Sequence, residues 1–114
     1  MIITTAKEVA QYAKSIIESA YETYGCKVQL TGFYENIKGK KHPLSMTRGM
    51  DSMYIFVSCD GSASIFLNHE LPYLGKNFLK LKDDIIGKLK EKGITYKSGE
   101  YFSDFFIMEF KWKF

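Results

Sequence analysis

The chain has 114 residues, 46% of them hydrophobic and 25% charged, which suits one globular domain and excludes a disordered, collagenous or disulfide-framework protein. A domain of this size buries about two thirds of the surface its unfolded chain exposes, so it stands without metal or disulfide. The formal net charge is +3, and Arg48 is the one basic residue that is not lysine; lysine lacks the planar two-point fork of arginine, which disfavours sequence-specific reading of DNA.

No apolar run approaches the roughly 18 residues that cross a bilayer. The longest is Met53 to Val57, and Met1 to Val9 lacks the apolar stretch of a secretory leader. The expectation is a single compact domain over residues 1–114, without linker or tail, in the cytoplasm and without a membrane partner.

Ala6, Val9, Ala10, Ala13, Ile16, Ile17, Ala20 and Tyr24 recur at steps of three and four, with Lys7, Glu8, Gln11, Lys14, Glu18 and Glu22 between them. That spacing predicts an amphipathic helix over about residues 6–24. Thr5-Ala6-Lys7-Glu8 has the form of a capping box, and Gly25 supplies a left-handed stop. A strand over Lys27 to Tyr34 follows, its apolar Val28, Leu30 and Tyr34 alternating with polar residues and its middle weakened by Gly32. Met53 to Cys59 and Ser62 to Leu67 then flank Asp60-Gly61, a dipeptide suited to a two-residue type I′ turn. Such a turn sets Phe56 opposite Ile65 and Tyr54 opposite Leu67 on one side, with Val57 opposite Ser64 and Ile55 opposite Phe66 on the other. Both faces of this ribbon carry apolar groups, so it is expected to be central in the sheet or to leave one face waiting for a partner.

A second helix is predicted over Phe78 to Lys92, with Asn77 as its cap, Gly93 as its stop and Phe78, Leu81, Ile85 and Leu89 as its apolar stripe, widened by Ile86. Lys88, Lys90 and Lys92 suit the negative end of its dipole. Ile94 to Lys97 reads as a short strand turning at Ser98-Gly99, with Lys97 across from Glu100 and Tyr96 across from Tyr101. The last segment alternates Phe106, Met108, Phe110, Trp112 and Phe114 against Ile107, Glu109, Lys111 and Lys113, the pattern of a half-buried strand that belongs to the core.

In order these elements read α-β-β-β-α-β, with room for one further strand. The simplest packing is a two-layer α+β sandwich with both helices on one face of a four- to five-stranded antiparallel sheet. A strand at Ile2-Ile3 would convert this to a ferredoxin-like β-α-β-β-α-β arrangement. The order is also similar to that of the double-stranded-RNA-binding domain, whose second helix opens with paired lysines on phosphate; here Gly75-Lys76-Asn77-Phe78-Leu79-Lys80 separates them. Arg48 to Met53 likewise departs from the aromatic strand motif of RNA-recognition domains.

Cys26 and Cys59 are expected to be reduced and buried, and with His42 and His69 they show no metal-ligand spacing. A thiol-imidazole pair would need Cys59 beside His69, whereas the hairpin separates them by about 20 Å. No enzyme, cofactor or metal is expected. Two loops remain. Residues 36–52 carry Lys38, Lys40, Lys41, His42, Met46, Arg48 and Met50, a basic finger with adaptable methionines suited to an acidic groove; residues 68–77 carry Tyr73. The expected function is a small non-enzymatic binding protein that occludes a protein or ribonucleoprotein. In size and lysine content it resembles the inhibitors of phages and mobile elements, anti-CRISPR and other anti-defence proteins included. The alternative is an RNA-, DNA- or nucleotide-binding module that adds Lys76, Lys80, Lys82, Lys88 and Lys90 to the basic loop. A homodimer through an exposed sheet face fits equally well.

Overall fold

Local signals at both helices are realised directly. In the computed structural model, which describes residues 5–37, 40–43, 52–71 and 74–113, α1 spans Ala6–Thr23. The Thr5 hydroxyl accepts from the Glu8 amide at 3.2 Å and donates to the Glu8 carboxylate at 2.9 Å, and Gly25 at φ 77° ends the helix. A single 3-10 turn, Gly75–Asn77, leads into α2 at Phe78–Glu91. The Asn77 side chain makes no capping bond, because its backbone is already helical and carries the turn straight into α2. Phe78, Leu81, Ile85 and Leu89 are all buried, as their spacing requires.

Six strands form one sheet: β1 Gln29–Ile37, β2 Lys40–Pro43, β3 Ser52–Val57, β4 Ser62–Asn68, β5 Ile94–Phe102 and β6 Phe105–Trp112, in the order β2-β1-β3-β4-β6-β5. The sheet is mixed. β1 pairs parallel with β3 and antiparallel with β2, against the all-antiparallel expectation. The cause is β2, which takes part of the segment expected to be a loop. By folding back along β1 it brings Pro43 opposite Phe33, and β3 then starts at Ser52 opposite Gln29 and runs in the direction of β1. Lysines and a proline hide this strand from pattern reading, yet they are the residues that edge strands use to resist further pairing. The ferredoxin-like alternative depends on Ile2-Ile3, outside the described residues.

The β3–β4 hairpin is shifted by one residue from the expected register: Tyr54 faces Phe66, Ile55 faces Ile65, Phe56 faces Ser64 and Val57 faces Ala63. Its loop has three residues, not two. The Gly61 amide donates to the Ser58 carbonyl at 3.1 Å and Gly61 sits at φ 98°, while the Asp60 carboxylate accepts from the Ser62 amide and hydroxyl at 3.0 and 2.8 Å. This is a tight turn followed by a left-handed glycine, which leaves Asp60 free of the positive φ that a type I′ turn would impose. The shift sorts the ribbon chemically. Met53, Ile55, Val57, Ala63, Ile65 and Leu67 all meet the core, and the aromatic residues fall on the other side.

The expected turn at Ser98-Gly99 is also absent. β5 continues through it with a bulge between Tyr96 and Ser98, and turns at Ser103-Asp104 so that Phe102 faces Phe105. Gly99 is small for packing: a side chain there would strike the Phe106 ring and the Tyr96 hydroxyl. β6 lies inside the sheet between β4 and β5, with Phe106, Met108 and Phe110 buried as expected.

Both helices cover one face, α1 over β1 and β3 and α2 over β5, and they touch each other. The result is a two-layer α+β domain. Tyr21, outside the predicted helix stripe, is fully buried, and its hydroxyl donates to the Asn68 carbonyl at 2.6 Å, tying α1 to the end of β4. Among the described residues no helix is long and apolar enough to cross a membrane.

Candidate functional site

Strand alternation leaves a second apolar surface on the face opposite α1 and α2. Neighbouring strands place Phe33 beside Phe56 and Tyr54 beside Phe66, and Phe66 beside Ile107. The rings are in contact. Phe33 stacks on Phe56 with centroids 5.2 Å apart, Phe56 meets Phe66 edge-on at 5.8 Å, Tyr54 lies 6.1 Å from Phe56, and Phe66 lies 6.0 Å from Phe105. Each of these rings is half-buried. Phe102, paired with Phe105, extends the stripe to β5 and is 68% exposed.

Polar groups rim the stripe. Ser58 donates to the Glu35 carboxylate at 2.9 Å and Ser64 to the Glu109 carboxylate at 2.6 Å. A hollow of about 150 Å³ opens between these serines, Glu35 and the rings of Phe33 and Phe56. Lys111 is the register neighbour of Ser62, Glu100 of Ile107, and Lys41 of Glu35. Among the described residues, Glu35, Glu100 and Glu109 thus stand on this face together with Lys111.

A second concavity of about 620 Å³ lies at one end of the sandwich, walled by Leu71, Phe78, Leu79 and Tyr101, with His69, Glu70 and Lys76 at its polar side. His69 holds this end together: its Nε2 lies 2.9 Å from the Ser103 carbonyl, its amide donates to the Asp104 carbonyl at 3.0 Å, and its ring packs edge-on against Tyr101.

Of the residues proposed from sequence, Lys38, Met46, Arg48, Met50 and Tyr73 lie outside the described residues. Lys40, Lys41 and His42 stand on β2 opposite Ile37, Glu35 and Tyr34, which makes them part of a sheet edge instead of a free finger. Lys76 borders the end concavity. Lys80 and Lys82 point about 200° apart around α2, as do Lys88 and Lys90, and Asp84 falls between Lys80 and Lys88; Lys82 lies over the Phe106 ring at 5.0 Å. The helix lysines thus share no single face. Cys26 is buried but Cys59 is exposed, because the hairpin loop carries it past the end of the sheet. Cys59 and His69 sit beyond opposite ends of β4. Among the described residues no cluster of three His, Cys, Asp or Glu is placed to hold a metal.

Sequence reasoning noticed apolar groups on both faces of the β3–β4 ribbon but named none of the stripe as a site. The available signal was Met53-Tyr54-Ile55-Phe56-Val57, where aliphatic and aromatic residues alternate. No family model matches the chain, and no curated protein or solved structure shows a significant match to it.

Proposed function

We propose that the protein is a small non-enzymatic binding module that occludes a macromolecular partner, a protein or ribonucleoprotein, with its aromatic sheet face. One observation carries this reading: a contiguous stripe of half-buried rings, on the face opposite α1 and α2 and bordered by polar groups, has the apolar centre and polar rim of a protein interface. Aromatic centres of this kind concentrate binding energy in a few residues. The nucleic-acid alternative is less favoured on the same face. Rings do serve as base-stacking platforms, but such platforms are flanked by positive charge that tracks phosphate, and here the carboxylates of Glu35 and Glu109 border the rings, bonded to Ser58 and Ser64. Size and lysine-rich composition are shared with phage and mobile-element inhibitors, and blocking by shape is how a module without reactive chemistry would act.

The test is capture from nuclease-treated and untreated cell lysate by the wild-type chain, by Phe56→Ser, and by Lys76→Glu/Lys80→Glu. The reading expects capture that survives nuclease, survives the lysine substitutions and is lost with Phe56→Ser. Affinity should change little with salt. Loss on nuclease treatment, with a steep fall of affinity at rising ionic strength, would give the function to nucleic acid instead.

A further inference from the structure

We infer that in the free protein the aromatic sheet face closes on the same face of a second copy, about a two-fold axis running parallel to the strands between β3 and β4. Three rows cross the face between the hairpin loop and the Gln29–Ser52 and Asn68–Phe105 pairs. The first is Glu35, Ser58, Ser62 and Lys111; the second Phe33, Phe56, Ser64 and Glu109; the third Thr31, Tyr54, Phe66 and Ile107. In each row β1 and β6 stand at equal distances from the midline, and β3 and β4 likewise.

Rotation about the midline therefore sets Glu35 against Lys111 of the second copy, and Lys111 against its Glu35. It also sets Tyr54 against Phe66 and Phe56 against Ser64. The face is complementary to itself in charge and in shape, as an isologous interface must be. Glu109, held by Ser64, meets the Phe33 ring of the second copy, whose edge carries partial positive charge. Sheets packed face to face cross at about 30°, which tilts the axis about 15° from the strands and displaces the Glu35–Lys111 pair by about 5 Å, within a lysine side chain's reach.

The area suits a weak dimer. The axis between β3 and β4 lays β1 over β6 and β2 over β5, so six strands overlap; at about 4.8 Å each and three steps of about 6.7 Å they give about 580 Å² per copy, so about 1,150 Å² in total, near the lower limit for a specific interface. Two reciprocal ion pairs then decide orientation more than affinity. This goes beyond the occlusion reading: the second copy and the macromolecular partner compete for one surface.

Sedimentation equilibrium of the purified chain, up to several hundred micromolar, tests it. The expected result is a reversible monomer–dimer equilibrium with a dissociation constant on the order of micromolar to tens of micromolar. Glu35→Lys and Lys111→Glu, each confirmed folded by circular dichroism, should each weaken the dimer about tenfold or more, since each breaks two pairs and creates two repulsions. The double variant Glu35→Lys/Lys111→Glu restores the charges and should return to within about threefold of wild type. A chain that stays monomeric overturns the inference, as does a dimer indifferent to both reversals or a double variant no better than the singles. A monomeric chain whose capture still depends on Phe56 would refute the dimer and leave the occlusion reading standing.

Discussion

Replacing Tyr21 by Phe removes one oxygen from the centre of the fold and nothing else. The ring is fully buried and keeps its contacts, while the 2.6 Å bond to the Asn68 carbonyl is lost. A net hydrogen bond contributes about 1 kcal/mol, and a carbonyl deprived of its donor adds to the cost, so the expected loss is about 1–2 kcal/mol. An unfolding entropy of about 2.1 cal/mol/K per residue gives about 0.24 kcal/mol/K for this chain, and hence a fall in Tm of about 4–8 °C by calorimetry. Tyr12→Phe is the internal control. Its hydroxyl reaches the Lys88 carbonyl only at 3.4 Å near the surface, and it should change stability by less than about 0.5 kcal/mol.

The alkaline limb supplies a second readout. Burial, with Cys26 adding to it, holds the Tyr21 phenol far above its ordinary value of 10.0. The folded state keeps a proton that the unfolded state releases, so this stability is complete below pH 10 and is lost as pH rises toward the folded value, at about 1.4 kcal/mol per pH unit. Tyr21→Phe lacks that loss, so the gap between it and wild type should narrow above pH 10. A Tm change under about 1 °C, or a gap constant across the alkaline range, would refute the role given to Tyr21.

Two further substitutions probe the β3–β4 loop. Gly61→Ala should cost about 1–3 kcal/mol in chemical denaturation, because φ 98° strains any side chain and the new Cβ would lie 2.7 Å from the Trp112 carbonyl oxygen; wild-type stability would contradict the turn described. The Ser62 hydroxyl and amide hold the Asp60 carboxyl below its ordinary 3.8. That contribution is present above pH 3.8 and is lost as pH falls through the lower folded value. The Ser62 amide resonance should accordingly titrate with a midpoint below 3.8, with Asp60→Asn abolishing the step; a midpoint at or above 3.8 counts against the bond.

Elements written in local periodicity were legible. α1, α2 and β6 carry their apolar residues at fixed spacing, and Thr5, Gly25 and Gly93 mark ends that depend only on adjacent backbone. β2 was not legible, since Lys40-Lys41-His42-Pro43 has the composition of a solvated loop and becomes a strand only against β1. Gly99 misled for a related reason: a glycine that makes room for Phe106 looks, in one dimension, like a glycine that makes a turn. The hairpin register failed by one residue because Asp60-Gly61 admits two loop geometries, and only burial of the aliphatic set on one side selects between them.

The candidate site divides the same way. Apolar groups on both faces of the β3–β4 ribbon could be read from Met53 to Leu67, but Phe33 and Phe105 join its rings only through pairing with β1 and β6. Amino-acid order by itself determined the two helices, the strands with clean alternation and a core large enough for one α+β domain. Tertiary structure alone decided that β1 and β3 run parallel, that the helices cover the aliphatic face, and that Phe33, Tyr54, Phe56, Phe66 and Phe105 become one surface. The reason is physical: a strand's period of two separates its faces, but which face is covered depends on packing against helices distant in the chain.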